Sequence, residues 1–231
     1  VKKIVRRILF GVLKLITLLI VVSLAWVVTY RYVSPPITGM MLYKWWKQEN
    51  YSIDYRWKSI EEVDSSVPLA FISSEDQKFL DHNGFDVEAI KKAIESNKES
   101  KKVRGASTIS QQVAKNVFLL PTKSYLRKGL EVYFTFLIEL VWGKERIMEV
   151  YINVVELGEG VYGVEAAGQK YFKKSAKNLS RQNAALIATA LPNPLIYKLK
   201  SPSGYMHKRS NWVLRQMNNL GGEGILREWY E

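Results

Sequence analysis

Residues 8–30 read ILFGVLKLITLLIVVSLAWVVTY, an apolar run broken only by Lys14. At about 1.5 Å per helical residue it reaches roughly 34 Å, enough to cross the hydrocarbon core of a bilayer. A cleaved leader has a shorter apolar core and a small-residue cleavage site, whereas Trp26, Tyr30 and Tyr32 here make an interfacial aromatic belt. The run reads as an uncleaved, single-pass anchor. Lys2, Lys3, Arg6, Arg7 and Lys14 crowd its N-terminal side with no acid among them. The positive-inside rule keeps that end cytoplasmic and puts the chain beyond about Arg31 on the outer face. Two parts are expected: a basic tail and anchor over 1–33, and a folded domain over 34–231.

The 231 residues include 34 Lys and Arg against 22 Asp and Glu. With the five N-terminal bases set aside, 29 still face 22 acids, so the exported part needs its own anionic partner. Nucleic acid fits poorly with a domain outside the cytoplasm. A nucleotide-sugar enzyme fits poorly too, because no Gly-rich turn joins a strand to a helix. The absence of cysteine excludes disulfide staples, zinc thiolates and a cysteine nucleophile.

Beyond Ser34-Pro35-Pro36 and an aromatic segment from Trp45 to Trp57, the periodicity is helical, and no alternating run is long enough to demand a sheet. A helix opens after Ser65 or Ser66, and Val87, Ile90 and Ile94 stripe a second. Residues 98–104 are basic and without apolar period, a loop. Ser107 is expected to cap a helix to about Leu120, Thr122 a longer one to about Trp142, and Ser180 an alanine-rich one ending at Leu191-Pro192. Ile147, Val150, Tyr151 and Val154 mark another helix, and a last one carries Trp212, Val213 and Met217 up to Gly221-Gly222.

Three segments hold polar groups for which a core has no use. Glu75 and Asp76 end an apolar helix, where an acid opposes the macrodipole. Thr108, Gln111, Gln112 and Lys115 share one sector of a helix whose opposite side is Ile109, Val113 and Val117, and that helix contains no acid. Its N-terminus suits an anion. On the next helix Arg127, Lys128 and Glu131 fall on one side, away from an expected core stripe of Leu126, Leu130, Phe134, Leu137 and Val141. Four cations gathered near one place, Lys115, Lys123, Arg127 and Lys128, repel unless an anion joins them. An exported, tethered domain with such a site suggests a lipid-linked phosphate as substrate.

These residues carry a resemblance. The pattern E-D-x-x-F-x-x-H-x-G is met by Glu75, Asp76, Phe79, His82 and Gly84, and G-x-S-T-I-x-Q-Q with Lys-Asn by Gly105 to Asn116. R-K-x-x-E falls on Arg127, Lys128 and Glu131, and a fourth motif on Lys144, Ile147, Glu149, Tyr151 and Asn153. A fifth, alanine-rich, resembles Ala184 to Pro194. Together they resemble the monofunctional peptidoglycan glycosyltransferases of glycosyltransferase family 51, the group that also supplies the polymerase domain of class A penicillin-binding proteins.

The resemblance implies a mainly α, lysozyme-like glycosyltransferase domain with a small membrane-proximal lobe, at the bacterial inner membrane. Its substrates would be lipid II and the growing lipid-linked glycan strand, joined through β-1,4 bonds with inversion and release of undecaprenyl diphosphate. Glu75 is then the base. Glu131 orients the cations or helps to hold a divalent ion, Mg or Mn, on the diphosphate, and no organic cofactor is expected. Gln111, Gln112, Lys115, Arg127 and Lys128, with Ser107, Thr108 and Lys123, form the diphosphate cradle. Lys123 stands where many members carry arginine and lacks that residue's bidentate fork. Asp76, Phe79, His82 and Gly84 support the first motif, and Asn116, Glu149, Tyr151 and Asn153 the others. The aromatic segment 45–57 and the loop 98–104 are expected near lipid or over the groove, and other cell-wall synthesis or division proteins as partners. Two competing readings are a muralytic hydrolase, which has no use for a diphosphate cradle, and a non-catalytic scaffold that binds lipid II.

Overall fold

The computed structural model describes residues 2–99, 105, 107–122 and 124–231. Lys123 and most of the basic loop, 100–104, lie outside them. Ten helices are described: α1 (Lys2–Tyr32), α2 (Gly39–Lys47), α3 (Ser66–Glu75), α4 (Val87–Glu99), α5 (Ile109–Phe118), α6 (Tyr125–Val141), α7 (Lys144–Val154), α8 (Val164–Ala167), α9 (Arg181–Ala188) and α10 (Gly204–Asn219). The fold is mainly α, as expected.

α3 is apolar all round, with every residue from Ser66 to Ser73 buried, so it can only be a central helix. α9 and α10 pack on it, and α7 joins it to α5, which in turn packs on α6. α3 starts after Ser65, as expected, and the side chain that serves its first turn is Asp64, which accepts from the Ser66 N–H at 3.0 Å. Thr108, not Ser107, caps α5, because only Thr108 has Gln111 at the third position for a reciprocal capping box. Ser124, not Thr122, caps α6, its hydroxyl accepting from the Arg127 N–H at 3.1 Å. Ser180 caps α9 as expected.

A small sheet was not expected. β1 (Asp54–Tyr55) pairs parallel to β3 (Val161–Tyr162), which pairs antiparallel to β2 (Glu156–Gly158). Strands of two or three residues are too short to show a period of two. Gly163 follows with φ +80°, and a Cβ there would stand 2.5 Å from the Asn153 carbonyl oxygen.

Two expected apolar stripes turn partly outward. Val87 and Ile94 of α4 are exposed, and so are Leu126 and Leu130 of α6, together with Tyr125, Phe136 and Leu140. The inward face of α6 keeps Phe134 and Leu137 of the expected stripe and adds Glu131, Thr135 and Ile138. Trp45 and Trp46 of α2 are exposed as well, whereas Tyr51, Tyr55 and Trp57 pack against the protein. The aromatic segment therefore divides into an open helix and a packed strand.

α1 has the length and apolar composition of a membrane span. Its last turns are docked rather than free. Trp26 meets Phe118 edge-on at 5.2 Å, and the Trp142 indole N–H donates to the Val27 carbonyl at 2.8 Å. Ser23 Oγ and Tyr133 Oη share a hydrogen bond of 2.7 Å. The carbonyls that a helix end leaves open are taken by Arg146, which donates to Tyr30 at 2.9 Å and Val33 at 3.0 Å. A cation there also favours the helix dipole.

Candidate active site

Glu75 is the last residue of α3, projected from the rigid centre of the domain. Its Oε2 accepts from Gln112 Nε2 at 3.0 Å, and Gln112 Oε1 accepts from the Tyr151 hydroxyl at 3.0 Å. Tyr151 is fully buried, and burial holds its phenol far above the ordinary range, so it serves as a donor. The chain Tyr151 to Gln112 to Glu75 fixes one carboxylate oxygen. Burial pushes the Glu75 carboxyl up, partly opposed by the Gln112 hydrogen bond and the charge of Arg209. A carboxylate made more basic in this way suits proton abstraction. Glu75 opens onto a cavity of about 350 Å³, lined also by Asp76, Gln77, Asp86, Ser107 and Thr108.

Asp76 turns the other way. Its carboxylate accepts from the Ile109 N–H at 3.0 Å, at the start of α5, and faces His82 Nε2 at 3.0 and 3.1 Å. His82 Nδ1 in turn accepts from the Gly84 N–H at 3.1 Å. Gly84, at φ +87°, lies so close to α6 that a Cβ would be 2.8 Å from the Thr135 methyl. The Thr108 hydroxyl donates to the Gly84 carbonyl at 2.7 Å. This latch fixes the position of Glu75 relative to α5. Phe79, wholly buried under the Lys144 ammonium at 4.7 Å, completes it.

Three of the four expected cations, Lys115, Arg127 and Lys128, come together on α5 and α6, and the fourth, Lys123, lies outside the described residues. Glu131, 3% exposed, accepts from Arg127 Nη1 at 2.9 Å and from Lys128 Nζ. Burial pushes the Lys115 ammonium down, Arg127 and Lys128 add to the effect, and Glu131 and Glu75 oppose it. Two further cations and two acids thus act on Lys115. Arg127 Nε is buried and has no hydrogen-bond partner among the described residues. An orphaned buried donor costs about 1–3 kcal/mol. An anion brought to the cluster removes that cost.

Several expected site residues do other work. Thr108 and Gln111, taken as diphosphate donors, are buried in the capping box: the Gln111 carboxamide oxygen accepts from the Thr108 N–H at 3.0 Å, and its own N–H reaches the Thr108 hydroxyl at 3.2 Å. Of the two glutamines only Gln112 meets Glu75. Ser107 is exposed at the cavity wall, and Asn116 is half-buried one residue past Lys115. Glu149 accepts from the Ile60 N–H at 3.1 Å, and Asn153 bonds both the N–H and the carbonyl of Lys58, at 2.8 and 2.7 Å. Both brace the segment before α3.

Glu139 was missed. It accepts from Ser110 at 2.5 Å and from Lys144 at 2.7 Å, tying α5, α6 and α7 together. A lone acid inside the apolar run FTFLIELVW was the available signal. Among the described residues no group of three His, Asp or Glu side chains stands where a metal could be held.

The family model described as Transglycosylase matches residues 41–218. A biosynthetic peptidoglycan transglycosylase of Haemophilus influenzae is 58% identical over 174 residues, covering 75% of this chain and 71% of that protein. The one of Shewanella oneidensis is 46% identical over 225 residues, with 94% of each covered, and that of Caulobacter vibrioides 44% over 222, with 96% of each. Matched in this way over nearly all of its length, the chain belongs to the transglycosylase family.

Proposed function

We propose that this protein polymerises lipid II into β-1,4-linked glycan strands from a membrane anchor, releasing undecaprenyl diphosphate. The observation that carries the reading is the buried Arg127 Nε, without a hydrogen-bond partner among the described residues, in a three-cation cluster whose Lys115 interacts electrostatically with Glu75. A hydrolase of the same bond forms no diphosphate leaving group and needs no such cluster. Relatives bearing the name biosynthetic peptidoglycan transglycosylase support the same activity.

In this reading the growing strand is the donor and lipid II the acceptor. Glu75, its orientation fixed through Gln112 and Tyr151, takes the proton of the acceptor's 4-hydroxyl as that oxygen attacks C1 of the donor. The bond from C1 to the diphosphate oxygen breaks on the opposite face, and the configuration inverts. Lys115, Arg127 and Lys128 stabilise the charge that develops on the diphosphate. Glu131 holds Arg127 and Lys128 in place.

A resident divalent ion does not fit this donor set: both oxygens of Glu131 already face cations, and Glu75 is held by an amide. We place the N-terminus in the cytoplasm and the domain on the outer face, on the strength of the basic N-terminal flank. The exposed apolar faces of α6 and α2, beside the docked end of α1, then meet lipid. Other cell-wall synthesis or division proteins are the expected partners.

The test is to incubate the purified full chain with lipid II and resolve the products by size. Long polymer from the wild type, and none from a folded Glu75→Gln protein, is the expected outcome. Fragments from added glycan would mean a hydrolase, and unchanged lipid II a scaffold. Polymerisation by Glu75→Gln at near the wild-type rate would remove Glu75 as the base.

A further inference from the structure

α1 carries a set of cations that nothing else in the molecule uses. At about 100° per residue, Lys3, Arg7 and Lys14 fall within about 40° of one another around the helix, with Arg6 and Phe10 flanking them. Ser23, Trp26, Val27 and Tyr30, which fasten α1 to the domain, centre on roughly the opposite side. The docking therefore fixes the rotation of α1 and turns the cations away from the rest of the chain. Between them lies a groove of about 510 Å³, lined by Lys3, Arg6, Arg7, Phe10, Gly11 and Lys14. Gly11 leaves its floor open, since nothing lies within 4 Å of the point where a Cβ would stand.

Among the described residues the four cations have no hydrogen-bond or ion-pair partner; Arg6 rests on the Phe10 ring at 5.6 Å. Residues 2–33 contain no acid. Lys14 stands inside the apolar run, where an ammonium is costly unless it meets an opposite charge or reaches the surface. Lys3, Arg6 and Arg7 precede that run and stand at headgroup depth, where lipid phosphates lie. An acid on a second membrane helix would meet Lys14 alone, whereas phosphates meet all four. Beyond Lys14 the same side continues through Leu18, Val21 and Val28, exposed apolar residues along which acyl chains lie.

We propose that this stripe binds an anionic phospholipid whose headgroup carries two phosphates, of the cardiolipin type. Four cations on one groove exceed the single charge of an ordinary anionic headgroup. Arg7 and Lys14, about 10 Å apart along the axis, leave room for two phosphates joined through a short bridge. The inference rests on α1 spanning a bilayer and not on the glycosyltransferase reading.

The experiment uses the full chain in nonionic detergent micelles, with native mass spectrometry counting lipid adducts as tetraoleoyl cardiolipin, or dioleoyl phosphatidylglycerol at two molar equivalents to match its charge, is titrated in. Wild type is expected to bind one cardiolipin about fivefold more tightly than the charge-matched lipid, the weight of about one well-placed cation at a lipid surface. Lys14→Gln and Arg7→Gln should each bring that ratio close to one. Lys2→Gln removes the same charge from another side of the helix and should leave the ratio within about twofold of wild type. Equal binding of the two lipids by wild type overturns the proposal, as does a Lys2→Gln loss equal to that of Lys14→Gln. Displacement of cardiolipin by a one-span apolar peptide bearing a single glutamate would assign the stripe to a helix instead and overturn it too. Failure of the membrane anchor looks different: the wild type does not float with phosphatidylcholine vesicles, and the proposal falls with the anchor.

Discussion

Asp76→Asn tests the joint from which Glu75 hangs. Because His82 Nδ1 accepts from Gly84 N–H, the ring proton sits on Nε2, and Asp76 acts only as an acceptor, from His82 and from Ile109 N–H. Asparagine supplies one oxygen. If that oxygen serves Ile109, the amide NH₂ confronts Nε2–H, and moving the proton to Nδ1 sets it against Gly84 N–H. Wherever the proton goes, one buried donor is orphaned, at about 1–3 kcal/mol. Losing the negative charge at the start of α5 adds about 0.3–1 kcal/mol. At roughly 2–4 °C per kcal/mol for a chain of this length, the thermal midpoint falls by roughly 3–15 °C. Tryptophan fluorescence during heating reads that shift, and lipid II polymerisation measured below the transition reads the loosened position of Glu75. A variant that melts within a degree of wild type and polymerises normally refutes the latch. Removing the ring as well, in Asp76→Asn/His82→Ala, should cost less than the two single losses summed, since the confrontation disappears with it.

Lys115→Ala should lower turnover about 10²–10³-fold, the scale of a removed oxyanion donor; an enzyme retaining most of its turnover would detach Lys115 from the diphosphate. The pH profile of kcat/KM should be a bell. Glu75 must be ionised and burial raises it, so the acid limb lies above the ordinary glutamate range; Lys115 must be protonated and burial lowers it, so the alkaline limb lies below the ordinary lysine range. Glu131→Gln removes the main charge opposing that fall and should move the alkaline limb to lower pH, which rate measurements across the basic range would detect. Gly163→Ala forces a side chain onto φ +80° against the Asn153 carbonyl and should destabilise by about 1–3 kcal/mol, measurable by chemical denaturation.

Much of the site was legible because its chemistry is local. Arg127, Lys128 and Glu131 are one helical turn apart, and Glu75 ends a helix too apolar to lie at the surface, so spacing alone brings these groups together. What was misread has physical causes. Periodicity shows that Leu126 and Leu130 share a side of α6, but it does not say whether protein or lipid covers that side. Two hydroxyl residues compete at each helix start, and the capping box chose Thr108 over Ser107 only through a side chain three residues on. Thr108 and Gln111 lie in the same sector as Gln112, yet a polar face near an N-terminus is spent first on the helix's own open N–H groups. Arg209 was out of reach of the sequence, since its relation to Glu75 spans 134 positions and depends on how α10 lies across α3.

The docking of α1 has a mechanical outcome. With Val27 and Tyr30 fastened to Trp142 and Arg146, the height of the reaction centre above the bilayer is set by a rigid joint and not by a tether's slack. Substrates held in the membrane by their own lipid tails then search for it in two dimensions, at one fixed depth. The centre stays put, and each addition must draw the lengthening strand past it.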